Sequence, residues 1–234
     1  MLFVVGPALH VWLAAVESLR TTGEDVDLRD PAAPSPALAG VVLCGGRSVR
    51  MGIDKATIVV AGATLLDRAI ARLTEVCDPV LIAPGDLAVT VDARRLVPDA
   101  PPGAGPLGGI AAALQRSPHP LLAVVAVDMP WLDPALLRFV ADRIGDHDVA
   151  VCRTQRGPEP LHAVYARSAL PVVEAALRSP DRSVRGVIGR LRALTIAEED
   201  WRSAGFSERF ANNVNTPADL AGISPESLRP ATSR

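Results

Sequence analysis

The chain has 234 residues, 49% hydrophobic and 21% charged, with four Phe, three Trp and one Tyr. That length suits one domain, or one domain with an appendage, and the apolar share excludes a wholly disordered chain. Lys plus Arg number 24 against 26 Asp plus Glu, a net charge of -2, which argues against a general nucleic-acid binder because no basic excess offsets phosphate. An anionic ligand must then be met by donors gathered locally. Cys44, Cys77 and Cys152 are scattered and odd in number. They suit neither a disulfide framework nor a zinc site and point to a reducing compartment.

Taken in chain order, Leu2–Val5 reads as a short strand and Ala8–Arg20 as an amphipathic helix. The apolar run from Leu2 to Val16 lacks a basic flank and is broken by Pro7 and His10, so neither a signal peptide nor a membrane span is expected. The expectation is a soluble, cytoplasmic protein that does not engage membranes. Asp30 to Ala37 carries three prolines and reads as a stiff tether, so residues 1–37 form an N-terminal extension. From Leu38 onward apolar runs alternate with helical patterns. Strands are expected at Ala39–Cys44, Val80–Ala83, Leu121–Val127, Val149–Arg153 and Leu161–Ala166. Helices are expected at Leu65–Val76, Ile110–Arg116, Pro134–Arg143, Ala169–Arg178 and Val184–Arg190. Leu121–Val127 has no polar face, as in a parallel strand buried on both sides. The alternation predicts a three-layer α/β/α domain with a mostly parallel central sheet over residues 38–222. Residues 223–234, rich in Ser and Pro, read as a flexible tail.

Four stretches carry candidate chemistry. In Val41–Lys55 an apolar strand enters a loop with Gly45, Gly46 and Gly52, interleaved with Arg47, Arg50 and Lys55. Glycines let backbone N–H groups approach phosphate oxygens while the cations neutralise charge. The spacing matches neither a Walker A loop nor a dinucleotide fingerprint. Lys55 is the single lysine among the 24 basic residues, and a compact ammonium suits a polyphosphate pocket better than a planar guanidinium; the plain alternative is a solvated loop lysine. Asp128 ends a buried strand, where open α/β sheets bind ligands and where a carboxylate can hold Mg²⁺; the alternative is a turn residue. Asp133 reads as the cap of the helix that Pro134 opens. A second glycine-rich stretch from Leu96 to Gly109, containing Asp99, leads into a helix near Leu107 and offers N–H groups to an anion or base edge. Asn212, Asn213 and Asn215 are the only asparagines in the chain. Asn213 and Asn215 share a face if the segment is extended, and could bond a ligand or a metal-bound water. Thr216 to Asp219 reads as a capping box. The four histidines, His162 among them, show no metal-ligand spacing and read as structural. Cys44 reads as packing.

Together these stretches resemble the molybdenum cofactor guanylyltransferases (MobA-like), within the broader nucleotidyltransferase fold. The resemblance is carried, in order, by Leu43–Lys55, Gly105–Ile110, Asp128-Met-Pro130, Glu159–Tyr165 and Asn213–Pro217. It implies transfer of GMP from GTP to the molybdenum-molybdopterin cofactor, forming the guanine dinucleotide cofactor and pyrophosphate. Leu43, Cys44, Gly45 and Gly46 would then hold the nucleotide, Lys55 and Arg50 its phosphates, Asp99 the nucleoside, and Asp128 both GTP and Mg²⁺. Asn213 and Asn215 would face the pterin or the second side of the metal. Transient contact with proteins that deliver or receive the cofactor would follow. The chain departs from the family pattern at Val49-Arg50, where two arginines are usual, at Cys44, where alanine is usual, and at Ala83-Pro84-Gly85, where asparagine is frequent. Two other readings stand beside this one: a molybdopterin cytidylyltransferase or other small-substrate nucleotidyltransferase, and a nucleotide-binding domain without turnover.

Overall fold

A computed structural model describes residues 37–45, 54–85, 87, 91–98, 103–224 and 228. The expected strand Leu2–Val5, the helix Ala8–Arg20, the tether and most of the tail lie outside the described residues. So do Gly46, Arg47, Arg50 and Asp99.

Six strands build the main sheet: β1 (Leu38–Leu43), β4 (Val80–Ala83), β5 (Leu121–Ala126), β6 (Val149–Thr154), β7 (Gly157–Ala166) and β8 (Ala193–Ile196). Between β1 and β4, β2 (Val59–Val60) and β3 (Ala63–Thr64) form a small hairpin. The order across the main sheet is β4-β1-β5-β7-β6-β8. All pairs are parallel except those of β7, which runs against both β5 and β6. The expected mostly parallel sheet is therefore present, with one reversed strand.

Strand side chains alternate between two buried layers, as the two-residue period of a strand requires. Val42, Ile82, Val125, Ala150 and Val164 face one layer with helices α1 (Leu65–Leu73), α3 (Pro134–Ala141) and α6 (Glu198–Ser203). Val41, Leu81, Val124, Val151 and Ala163 face the other with α2 (Pro106–Arg116), α4 (Leu170–Leu177) and α5 (Val184–Ile188). A sheet covered on both faces explains why β1, β4 and β5 are apolar throughout. Among the described residues no helix is long and apolar enough to cross a membrane.

Local signals start the helices where expected. Thr64 accepts a bond from the Asp67 N–H to cap α1, and Asp133 Oδ1 accepts from the Ala135 and Leu136 N–H groups to cap α3. Helix α7 (Pro217–Ala221) opens with the full capping box of Thr216 and Asp219. Helix α2 begins at Pro106 rather than Ile110, because Gly105 serves as its N-cap and Pro106 needs no N–H partner in the first turn. The strand expected at Leu161 starts at Gly157 instead. Pro158 and Pro160 are tolerated there because β5 pairs with β7 only from His162 onward, leaving one side of residues 157–161 unpaired by β5.

One charged residue is built into this scaffold. Asp148, just before β6, is 7% exposed. It accepts bonds from the Arg192 backbone N–H at 3.1 Å, Arg192 Nε at 3.1 Å and Nη2 at 2.8 Å, and from Ser168 Oγ at 2.6 Å. The Arg192 bonds hold its carboxyl well below the usual carboxylate range. A depressed folded-state pKa gives stability that is complete above the unfolded carboxylate value and is lost as pH falls toward the folded one. Asp148→Asn should therefore cost about 1–2 kcal/mol at pH 7, discounted because Arg192 is largely exposed. The gap to wild type should shrink below about pH 4. Urea denaturation across pH checks this, and a pH-independent gap would remove the charge from the account.

Candidate functional site

The carboxyl ends of β1, β4 and β5 open on one edge of the sheet, because the three strands are parallel. Ligands of open α/β sheets bind at such an edge. Backbone bonds fix the loops that leave it: Cys44 N–H donates to Ala83 O at 2.9 Å and Val127 N–H to Leu43 O at 3.0 Å. Leu43, Gly45, Ala83, Gly105, Pro106 and Gly109 line a narrow crevice there. Gly85 takes φ +61°, and a Cβ on it would stand 2.9 Å from the Gly45 Cα. The loops after β1 and β4 therefore touch backbone to backbone, and only glycine permits that contact.

Lys55 opens a short 3-10 turn (Lys55–Thr57), capped by Asp54, which accepts from the Ala56 N–H at 2.9 Å. Buried Ala56 anchors that turn in the core beside α1. Lys55 Nζ donates to Asp128 Oδ2 at 2.7 Å and to Asn215 Oδ1 at 2.9 Å. Both members of the ion pair have side chains only 16% exposed, so bulk water screens it less than a surface pair. Three of the residues singled out from the sequence thus meet at one atom.

Supporting contacts hold the partners in place. Val214 N–H donates to Asp128 O at 2.8 Å, tying the asparagine segment to the strand end. Asp219 Oδ2 accepts from the Asn215 and Thr216 N–H groups, both at 2.8 Å. The capping box therefore also orients Asn215. Arg156, which no sequence signal distinguished from the other arginines, donates to Ala211 O at 2.7 Å and Asn212 Oδ1 at 3.2 Å. The two asparagines differ. Asn215 is engaged with Lys55, whereas the Asn213 Oδ1 is buried with no hydrogen-bond partner.

Asp128 Oδ1 is likewise buried and unpartnered. An acceptor-only oxygen left bare beside an ammonium suits a hard divalent cation. Among the described residues no group of three or more His, Cys, Asp or Glu side chains could form a protein cage for a metal. A cation that keeps waters and shares phosphate oxygens is the kind this site fits. Burial pushes the Cys44 thiol up to about 12, which removes it as a nucleophile and agrees with a packing role. Glu159, at the start of β7, is half-buried and its carboxyl is raised above the ordinary value by that burial.

An edge lined by glycine backbone, with one ammonium and one half-buried carboxylate, suits a nucleoside polyphosphate, and the fold is that of the nucleotidyltransferases. A sequence profile described as the MobA-like NTP transferase domain matches residues 40–195. A probable molybdenum cofactor guanylyltransferase of Pelotomaculum thermopropionicum is 38% identical over 185 residues, covering 77% of this chain and 89% of that protein. The molybdenum cofactor guanylyltransferase of Desulfosudis oleivorans is 34% identical over 187 residues, covering 79% and 93%. Among solved structures, molybdopterin-guanine dinucleotide biosynthesis protein A from Archaeoglobus fulgidus superimposes with a TM-score of 0.69 at 26% identity, over 78% of this chain and 95% of that one. The chain belongs to the MobA-like NTP transferase family.

The contact between the first two loops is open to a direct test. Gly85→Ala should cost about 2–4 kcal/mol, the sum of a left-handed backbone penalty and a clash with the Gly45 backbone. Gly62→Ala, at φ +84° with nothing within 4 Å, should cost only the backbone part, about 1–2 kcal/mol. Denaturant midpoints compare the two. Equal losses would mean that the loops do not constrain each other.

Proposed function

We propose that this chain transfers GMP from GTP to the molybdenum-molybdopterin cofactor, with Lys55 and Asp128 at the reacting phosphates. The guanylyltransferase relatives support the reaction. The observation that carries the site assignment is the single lysine, held by Asp128 and Asn215 at the ligand edge of the sheet. A terminal phosphate oxygen of the pterin attacks the α-phosphorus of GTP in line. The new P–O bond forms as the bond to the β-phosphate oxygen breaks, and pyrophosphate leaves.

Lys55 has three N–H donors and spends two on Asp128 and Asn215. The third is available to a phosphate oxygen and stabilises charge that grows in the transition state. Leu43 to Gly45 and the start of α2 line the nucleotide side, with the Cys44 N–H spent on Ala83 O. Asp128 would hold Mg²⁺ through its free oxygen. When bound, that ion supplies neutralising charge shared between the carboxylate and the phosphates. Asn213 and Asn215 are assigned to the pterin side, where the buried Asn213 Oδ1 would accept from a ligand N–H. Roles for Gly46, Arg50 and Asp99 rest on the motif resemblance alone. The three cysteines are free and buried, which supports a reducing, cytoplasmic setting.

Pyrophosphate release with purified protein, GTP and the pterin tests the reaction. Lys55→Ala should lower turnover ~100-fold or more. Thermal unfolding with each nucleotide, with and without Mg²⁺, tests base choice without the pterin. A nucleotide at about 100 times its dissociation constant adds about 2.7 kcal/mol of stability. Stabilisation by GTP with Mg²⁺, lost in Asp128→Asn, is the expected result; a preference for CTP would transfer the assignment to cytidylyl chemistry.

A further inference from the structure

His162 has no part in the chemistry above, yet it touches both segments that enclose Lys55. It lies in β7 opposite Val125 of β5 and is fully buried. Its Nε2 stands 3.0 Å from the backbone N–H of Asp133 and accepts that bond. An accepting Nε2 places the imidazole proton on Nδ1, which is buried with no hydrogen-bond partner. Burial pulls the ring's pKa down to about 4, so the neutral acceptor persists at physiological pH.

Asp133 closes the turn that begins at Asp128. The near end of that turn is held by Val127 N–H on Leu43 O, and its interior by Met129 N–H on Ala126 O and Leu132 N–H on Met129 O. The bond to His162 fixes the far end. The ring also tilts against Phe210, with centroids 4.8 Å apart and planes at 43°. Phe210 in turn meets Trp201 edge-on at 5.5 Å, and Trp201 Nε1 is anchored on Arg153 O at 3.0 Å. Phe210 leads directly into the Asn212–Asn215 segment, whose Val214 N–H bonds Asp128 O. One buried ring therefore clamps the aspartate turn through its nitrogen and the asparagine segment through its face.

We propose that His162 is a positioning residue: its Nε2 holds the Asp128–Asp133 turn, and its ring holds the asparagine segment, so that Asp128 and Asn215 meet at Lys55. For its kinetic consequence this rests on the transferase reading above. An apolar ring of similar size would fill the same space and leave the Asp133 N–H without an acceptor. Glutamine would place an accepting oxygen the same number of bonds from the backbone as Nε2.

The test compares wild type with His162→Phe and His162→Gln, with His162→Leu as a second apolar variant should Phe not fold. Nitrogen NMR of the imidazoles, with the His162 signals identified by their loss in His162→Gln, should show the proton on Nδ1. Amide exchange at Asp133 should be slow in wild type and His162→Gln and fast in the apolar variants. In pyrophosphate release, His162→Phe should lower kcat by ~10- to 100-fold, with KM for GTP within about threefold of wild type. His162→Gln should restore most of kcat. A proton on Nε2, unchanged exchange and turnover in His162→Phe, or a glutamine variant as impaired as phenylalanine would each overturn the proposal. A wild-type chain that released no pyrophosphate from GTP would instead remove the transferase reading, with the tautomer and the Asp133 exchange still deciding whether His162 holds the turn.

Discussion

Bringing an ammonium and a carboxylate out of water is costly unless each finds compensation in place, and the Lys55–Asp128 pair sets that demand on the rest of the domain. The carboxylate is 73 residues from the lysine in sequence, and the asparagine that completes the ammonium's contacts is 160 residues away. No local preference can produce this meeting. It follows from the parallel packing of β1 and β5, which delivers the turn after each strand to the same edge, and from the return of the chain after α6 to lay the asparagine segment across that edge. The compensation is incomplete by one oxygen on Asp128 and one on Asn213, both buried and bare. Trp131 Nε1 and His162 Nδ1 are buried without a partner as well, so what sets these two oxygens apart is their place at the ligand edge, on the residues that carry and flank the Lys55 contacts.

Rigidity at that edge comes from devices that do not resemble active-site chemistry. The loops after β1 and β4 are locked by glycine against glycine, which brings backbone within reach of a ligand with no side chain intervening. The capping box of α7 stabilises a short helix, but the same Asp219 oxygen also holds the Asn215 N–H and so aims its side chain at Lys55. A residue read from sequence as only a cap is therefore also a support for the site. The distinction between structural and functional residues is weak here, because a ligand site built from loops is only as well defined as the anchors at each loop's ends.

Much of this was legible in the chain. Fully apolar strands announced a sheet covered on both faces, Asp133-Pro134 and Thr216–Asp219 announced helix starts, and the lone lysine and clustered asparagines singled out residues that meet at the sheet edge. What was not legible has specific causes. The reversal of β7 depends on the tight turn between Thr154 and Gly157 and on pairing across the sheet, neither of which leaves a period in the sequence. The edge strand β8 is four residues long, too short for alternation to stand out, and β2 and β3 are shorter still. Arg156 was hidden by the abundance of arginine, and His162 by the ordinary fate of a lone histidine on an apolar strand. Both act by holding backbone, and a backbone partner carries no signature of its own.

That abundance of arginine also bears on why position 55 is lysine. A guanidinium is planar and presents its donors in a fork suited to two oxygens of one carboxylate or phosphate. The oxygens at this site belong to two different side chains, arriving from different segments at 2.7 and 2.9 Å from a single nitrogen. An ammonium, with three donors disposed around one atom, can serve both and keep a third donor. An arginine there would carry its charge further from the backbone and force Asp128 and Asn215 apart, opening the junction on which the edge is built. The convergence of its partners is thus by itself a reason for lysine at this position.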